Sequence, residues 1–276
     1  MRATVATEAF FLPRTVGQRF CLYHPPADAA RPPLATLVHV HAFAEEMNKS
    51  RRMVALQCRR LAQSQFAVLQ IDLAGCGDSS GEFEDARWDD WVADVVAAQA
   101  WIAARHAGAP NWLWGLRLGA LIAGQAAQQL GHNTGLLLWQ PALAGKTLLQ
   151  QFLRLKAAAA MAEGAAAKSA MHGLRAAMAA GHTVEVGGYA LSAALAQAME
   201  AAELHAPAAG ARVRWLELST RLDAQPSPLA QQQATAWQAA GVDVRCQVVV
   251  GPAFWQTAEI EEAPLLLDAT VAALLA

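Results

Sequence analysis

The sequence has little charge, few cysteines and no long apolar run, and each shortage excludes a class of protein. Charged residues make up 16% of the 276 residues and hydrophobic residues 55%, which is typical of an ordered globular chain. The four cysteines lie far apart without a CxxC pair, so we expect reduced thiols, no disulfide framework, no metal and no cofactor. The net charge of −2 offers no basic surface, so we expect no nucleic-acid partner.

Membrane insertion is not expected either. No uninterrupted apolar run approaches the roughly 18–20 residues that cross a bilayer, and the positive mean hydropathy of +0.20 comes largely from alanine. The segment Met1–Glu8 has no apolar core of the kind that a signal peptide carries. We therefore predict a cytoplasmic protein without stable membrane insertion.

What the sequence does contain is an alternation of apolar runs and helical patterns. We expect a hairpin at 8–12 and 18–23, then buried strands at 34–40, 66–73, 111–114, 135–139, 213–218 and 242–250. Helical patterns lie at about 49–63, 88–105, 118–130 and 229–240, and from about 261. This order predicts βαβ units in a mostly parallel sheet of about eight strands, with helices on both faces.

The alternation stops between residues 145 and 206. This stretch contains an amphipathic pattern around Phe152, the alanine-rich run Ala157–Ala180, the segment Val184–Tyr189 and another helix to about Leu204. We interpret 145–206 as a helical cap inserted over the carboxyl edge of the sheet. The remaining parts, 1–144 and 207–276, are then the core domain.

One turn carries the strongest functional signal. Trp112–Gly124 reads Trp-Leu-Trp-Gly-Leu-Arg-Leu-Gly-Ala-Leu-Ile-Ala-Gly, an apolar run that ends in a Gly-x-x-x-Gly turn before a helical pattern. This is the outline of a nucleophile elbow, the strand–turn–helix on which α/β-hydrolases carry their serine. The central residue is Arg117, which cannot be that nucleophile. The sequence thus predicts the α/β-hydrolase fold with the attacking residue replaced.

The other members of a serine triad are also missing or misplaced. A Gly-x-Ser-x-Gly pattern occurs at 77–81, but the next helical pattern begins only near Trp88, whereas an elbow needs a helix that starts at the nucleophile. The last histidine, His205, precedes the last two strands, and Gly251–Trp255 has aromatic residues where the base would lie. Asp223 keeps the place of the acid without a serine or histidine to serve.

Two interpretations of Arg117 remain open. In the first, its guanidinium lies at a helix N-terminus and clamps a carboxylate or phosphate. In the second, it forms an internal ion pair that closes the old active site, because a buried arginine has to be paired. The partners available for that pair are Glu45, Glu46 and Asp223. The candidate anion-binding set is Arg117, Leu118 and Trp255.

No residue is assigned as catalytic outright, and the candidates are His41, Glu45, Glu46 and Asp223. His41 ends the first central strand, next to the usual oxyanion-hole donor, or is a structural histidine bonded to the backbone. Glu45 and Glu46 are either a carboxylate base near the cleft or a solvated helix start. Cys76 is either a nucleophile paired with His41 or a small buried cysteine.

Five blocks in order resemble one known family. They are His41–Arg52, Asp72–Ser79, Leu113–Arg117, Leu138–Pro141 and Gly251–Trp255, and together they are similar to the exosortase A system-associated hydrolases of the second type. The resemblance spans nearly the whole chain and implies an α/β-hydrolase fold, an arginine at the elbow, and a bacterium that exports PEP-CTERM proteins and makes exopolysaccharide. Ala42 departs from the proline of the pattern. No substrate comes with the resemblance.

Two functional hypotheses follow. The first is a hydrolase of that family, in which a carboxylate or histidine activates water and Arg117 holds an anionic substrate or an oxyanion. The second is a non-catalytic binding or scaffold protein. In either case the expected partner is a small-molecule, glycan or acyl anion, with proteins of the exosortase system as a further class of candidate partner.

Overall fold

A computed structural model describes residues 6–131, 134–162 and 167–276. Most of the segment Met1–Glu8 and residues 163–166 of the alanine-rich run Ala157–Ala180 lie outside the described residues. The strands are β1 (Glu8–Pro13), β2 (Gln18–His24), β3 (Thr36–Val40), β4 (Ala67–Ile71), β5 (Asn111–Leu116), β6 (Thr134–Trp139), β7 (Val184–Val186), β8 (Tyr189–Leu191), β9 (Arg212–Ser219) and β10 (Asp243–Val250). The helices are α1 (Glu45–Gln63), α2 (Trp88–Arg105), α3 (Gly119–Leu130), α4 (Gly145–Ala162), α5 (Ala167–Ala179), α6 (Ala193–Ala201), α7 (Pro228–Ala239) and α8 (Pro264–Leu275).

Eight strands form one mixed sheet in the order β1-β2-β4-β3-β5-β6-β9-β10. The hairpin β1–β2 is antiparallel and joins β4 antiparallel, while β4, β3, β5, β6, β9 and β10 run parallel. The sheet has helices on both faces, α2 and α3 on one and α1 and α8 on the other, around two buried clusters. The predicted α/β-hydrolase fold, with its mostly parallel sheet of about eight strands, is confirmed.

Several predicted boundaries were wrong. Helix α1 begins at Glu45 and not near Lys49, although Ala44 before it provides no side-chain cap. The acids Glu45 and Glu46 occupy the first turn, where carboxylates stabilise the positive end of the helix dipole. Helix α8 begins at Pro264 and not near 261, in keeping with the preference of proline for the first helical turn.

Between β6 and β9 the chain leaves the sheet and forms α4, α5, the hairpin β7–β8 and α6. Helix α4 contacts both α5 and α6, and buried residues of α4 and α6 belong to the same apolar cluster as those of α2 and α3. Gly187 and Gly188 both have positive φ at the hairpin turn, a conformation that glycine adopts without steric cost. Among the described helices, none has the length and apolar character needed to cross a membrane.

A buried carboxylate ties the N-terminal hairpin to the core. Asp94 of α2 has a side chain that is 1% exposed, and it accepts hydrogen bonds from Arg14 at 2.9 Å and from Arg19 at 2.6 Å. It also accepts the backbone N–H of Ala74 at 3.0 Å. One side chain therefore connects β1–β2, helix α2 and the loop after β4.

We predict that Asp94→Asn lowers the free energy of unfolding by about 3 kcal/mol, because the buried guanidinium of Arg19 and the half-buried one of Arg14 lose their counter-charge. Urea denaturation of the variant and the parent measures the loss. Asp90→Asn is the matched control, since Asp90 is an exposed aspartate of the same helix. An equal, small effect of both substitutions would contradict the structural role of Asp94.

Candidate active site

The turn between β5 and α3 is a nucleophile elbow in its backbone geometry. Arg117 has φ +56°, a left-handed conformation that is costly for a residue with a side chain. A Cβ added at Gly115 would lie 2.5 Å from Cα of Ala120, and one at Gly119 would lie 2.2 Å from the carbonyl oxygen of Val40. The two glycines are required because the turn folds back on its own helix and presses against the end of β3.

Arg117 is held by two polar side chains from different elements. Its Nε lies 3.2 and 3.3 Å from the two carboxylate oxygens of Glu46, at the start of α1. Its Nη2 donates to Oε1 of Gln151, on α4, at 3.0 Å. The Arg117 and Glu46 side chains are 13% and 15% exposed. Of the partners expected for an internal ion pair, the structure selects Glu46.

An aromatic ring lies against Arg117 where a serine hydrolase carries its histidine base. Trp255 follows β10, and the guanidinium carbon of Arg117 lies 5.6 Å from the centre of its ring. This distance is within the range of a cation–π interaction. Trp255 is buried and packs edge-on against Phe254. Neither ring can accept a proton from a nucleophile.

His41 is held by the backbone on both sides of its ring. Its Nδ1 donates to the carbonyl of Ala42 at 2.7 Å, and its Nε2 accepts the N–H of Leu73 at 3.3 Å. Burial lowers the pKa of His41, and the nearby Asp72 opposes that shift. A neutral ring with both nitrogens engaged fixes the turn after β3 and has no free position for a proton from a ligand.

Part of the oxyanion hole is still present in the backbone. In this fold the hole uses the N–H of the residue after the nucleophile and an N–H from the loop after the first central strand. The corresponding residues are Leu118 and Ala42, and within the described chain neither N–H has a recorded backbone or side-chain acceptor. Leu118 itself is buried at the start of α3. Donors for an anion remain although the attacking group is gone.

The remaining carboxylate candidates lie in different places. Glu45 is half-buried and lines a cleft beside Glu46. Asp223 is 77% exposed and pairs with Arg221, also exposed, at 3.1 Å. The structure therefore brings Glu45 and Glu46 to the elbow and leaves Asp223 on the surface, away from the residues that line the cleft.

The serine and cysteine of the loop after β4 serve the fold. Ser79 is buried, donates to the carbonyl of Asp72 and accepts the N–H of Phe20, which secures the hairpin to this loop. Cys76 is buried too, and desolvation, with Asp72 and Asp94 adding to it, raises the pKa of its thiol to about 12. A thiol with that pKa is a poor nucleophile near neutral pH, so the structure supports the small buried cysteine.

The three side chains that contact Arg117, those of Glu46, Gln151 and Trp255, line a cleft of about 340 Å³. Three parts of the chain line it: the start of α1, helix α4, and the loop after β10. Its lining residues are Phe43, Glu45, Glu46, Lys49, Leu148, Gln151, Phe152, Leu155, Trp255 and Gln256. Among these described residues there is no serine, threonine, cysteine or histidine. The cleft has the size of a small-molecule site but lacks the side chains that normally form acyl-enzymes.

Gln151, Phe43 and Phe152 are site residues that sequence reasoning missed. Gln151 interrupts the apolar face of α4 between Leu148 and Phe152. A polar residue in an apolar face was the only sequence signal that could have marked Gln151 as a site residue. Phe43 and Phe152 pack edge-on, with ring centres 5.0 Å apart. Both lie in the lining of the cleft, together with Trp255.

A match to a protein-family profile shows which family the chain belongs to. Residues 31–186, more than half of the chain, match the Hydrolase_4 family, described as serine aminopeptidase, S33. The chain belongs to this family. It is therefore a member of the α/β-hydrolase superfamily in which Arg117 occupies the elbow.

Other comparisons extend over different parts of the chain. The human protein ABHD12B is 32% identical over 94 residues, which are 34% of this chain and 25% of ABHD12B. The chain therefore matches only a quarter of the length of ABHD12B.

The ferulic acid complex of Est1E from Butyrivibrio proteoclasticus has a TM-score of 0.68 at 16% identity, over 97% of this chain and 98% of Est1E. A carboxyl esterase from Bacillus coagulans, in complex with glycerol, has a TM-score of 0.58 at 14% identity, over 90% and 91% of the two chains. At these identities the structural likeness concerns the fold.

The Arg117–Glu46 pair leads to a prediction about stability and pH. Burial raises the pKa of the Glu46 carboxyl, and Arg117 opposes this rise. Without Arg117 the carboxyl either takes up a proton or stays buried and unpaired. A carboxyl with a higher pKa in the folded than in the unfolded chain makes folding less favourable as pH rises between the two values. The loss caused by Arg117→Leu therefore grows with pH.

We predict that Arg117→Leu lowers the free energy of unfolding by about 2 kcal/mol near pH 8 and by clearly less near pH 5. Urea denaturation at the two pH values measures the difference. The double variant Arg117→Leu, Glu46→Leu is the control and removes the added pH dependence. A loss of the same size at both pH values would show that the two side chains are not coupled.

Proposed function

We propose that this protein binds a small amphipathic ligand in the cleft above Arg117 and does not form an acyl-enzyme. The observation that carries the proposal is the occupation of the elbow. Arg117 takes the place of the nucleophile, Glu46 neutralises it, and Trp255 covers it where a base would be needed. A serine hydrolase needs an attacking oxygen and a base within hydrogen-bond reach of each other.

The lining of the cleft supports a ligand with an apolar part and an anionic part. Five of its residues are apolar, and they come from the turn before α1, from α4 and from the loop after β10. Lys49 supplies a cation in the lining, and Arg117 contacts the lining residues Glu46, Gln151 and Trp255. An acyl or aromatic acid fits this chemistry, and so does a glycan that carries a carboxylate or phosphate.

The cleft also supports the division of the chain that we propose. Leu148, Gln151 and Phe152 lie in the inserted segment, whereas Glu46 and Trp255 lie outside it. Residues 145–206 then act as a cap that forms one wall of the cleft. Residues 1–144 and 207–276 act as the core that forms its floor. Ligand access in this proposal depends on α4.

The resemblance of the five sequence blocks supports a biological setting. We propose that the ligand belongs to the exosortase A, PEP-CTERM and exopolysaccharide system, and that the protein acts in the cytoplasm. Deletion of its gene is then expected to reduce exopolysaccharide or the export of PEP-CTERM proteins. Complementation with the parent gene restores them, and complementation with Arg117→Ala does not. Unchanged polysaccharide and export in the deletion strain would contradict this setting.

Hydrolysis by a carboxylate base is a second candidate function. The observation that favours it is the raised pKa of Glu46, because buried carboxyl groups with raised pKa values serve as general acids and bases. In this case Glu46 would activate water while Arg117 or the N–H groups of Leu118 and Ala42 hold the developing anion. The ion pair with Arg117 argues against it, since it occupies the carboxylate.

One assay separates the two functions. We predict that a fluorophosphonate probe labels no serine of the parent, because no serine lines the described part of the cleft, and that short-chain nitrophenyl esters are hydrolysed at the background rate. A known serine esterase is the positive control. Labelling of a cleft serine overturns the proposal. Turnover without labelling, lost in Glu46→Gln by about 100-fold or more, favours the carboxylate base instead.

A further inference from the structure

We infer that Glu46 occupies the position taken by the anionic group of the ligand, so that a ligand carboxylate binds by displacing Glu46 from Arg117. The inference rests on the proposed function of the cleft. It adds which chemical group binds at the elbow, and which side chain of the protein competes with it.

The Arg117–Glu46 pair has the geometry of a contact that can be exchanged. Its distances are 3.2 and 3.3 Å, longer than the roughly 2.7–2.9 Å of strong charge-assisted hydrogen bonds. The structural pair Arg19–Asp94 lies at 2.6 Å in the same molecule. Asp94 is 1% exposed, whereas Glu46 is 15% exposed and lines the cleft. Of these two pairs, the one at the elbow is the looser and the one open to a ligand.

Glu46 has a second cationic partner within reach of its own helix. Lys49 follows it by three residues on α1, and side chains at that spacing are neighbours on a helix surface. Lys49 lines the same cleft, and no ion pair of its ammonium group is recorded within the described chain. A displaced Glu46 can therefore move from Arg117 to Lys49 and remain paired. Two arrangements of one side chain are available without unfolding the first turn of α1.

The apolar walls restrict the displacing group to a carboxylate with an alkyl or aryl tail. Phe43, Leu148, Phe152, Leu155 and Trp255 lie around the charged residues in the cleft. A small inorganic anion would pair with Arg117 but would leave these apolar side chains exposed to water. An alkyl or aryl carboxylate covers the walls and replaces Glu46 with the same two oxygens.

Displacement couples ligand binding to proton uptake. Glu45, Glu46, Lys49 and Arg117 carry formal charges that cancel, so a ligand carboxylate leaves the cleft with one negative charge in excess. Helix α4 and the loop after β10 face Glu46 with neutral side chains only, among the described lining residues. Protonation of Glu46, whose pKa burial raises, removes the excess. Affinity for the carboxylate is expected to rise as pH falls through the Glu46 pKa.

The test uses the full-length protein, sodium octanoate as the anionic probe and octan-1-ol as its neutral match, with titration calorimetry near pH 8 and near pH 6, where octanoate stays ionised. We expect Glu46→Gln to bind octanoate about tenfold more tightly than the parent near pH 8 and to lose most of the pH dependence. Glu45→Gln is the charge-matched control and is expected to change the affinity by less than about threefold. Lys49→Met is expected to weaken octanoate binding, because the displaced Glu46 loses its partner. Octanol is expected to bind the parent and these variants alike.

The outcomes separate this inference from the function on which it rests. Suppose that Glu46→Gln binds octanoate no more tightly than Glu45→Gln does, while octanol binds both variants. The proposed displacement of Glu46 is then wrong, but the cleft remains a ligand site. If neither probe binds the parent or any variant, both proposals fail. Urea denaturation of each variant establishes that it is folded. A gain in Glu46→Gln that vanishes when Arg117→Gln is added identifies Arg117 as the anchor.

Discussion

The ion pair between Arg117 and Glu46 connects the parts of the chain that form the candidate site. Arg117 is placed by the elbow, where Gly115 and Gly119 allow β5, the turn and α3 to approach closely. Glu46 is placed by the first turn of α1. Gln151 brings the inserted helix α4 to the same guanidinium. A left-handed residue that costs about 1 kcal/mol or more is retained here because three elements converge on its side chain.

The site retains the elbow geometry of a hydrolase but has different side chains at the positions of the nucleophile and the base. The N–H groups of Leu118 and Ala42 correspond to the oxyanion donors of this fold and have no backbone acceptor within the described chain. The reactive positions now hold a cation at Arg117 and an indole ring at Trp255, and neither can attack a carbonyl or accept a proton from a nucleophile. Compared with a serine hydrolase, the side chains at the carboxyl edge of the sheet differ, whereas the fold that positions them is the same.

Sequence reasoning predicted the fold because the fold depends on local patterns. Alternating strands and helices and the spacing of Gly115 and Gly119 suffice to predict the sheet and the elbow. It could not choose among Glu45, Glu46 and Asp223 as the partner of Arg117, because it began the helix near Lys49 and so could not tell which of the two glutamates faces the elbow. The start of α1 was misplaced because Ala44 gives no capping signal. Gln151 was missed because the packing of the inserted segment on the core depends on contacts distant in sequence.

A crystal structure of the protein with octanoate near pH 6 tests the central claim most directly. The account predicts the ligand carboxylate on the guanidinium of Arg117, its alkyl chain between Phe152 and Trp255, and Glu46 turned towards Lys49. A carboxylate bound elsewhere, with Glu46 still paired to Arg117, would contradict it.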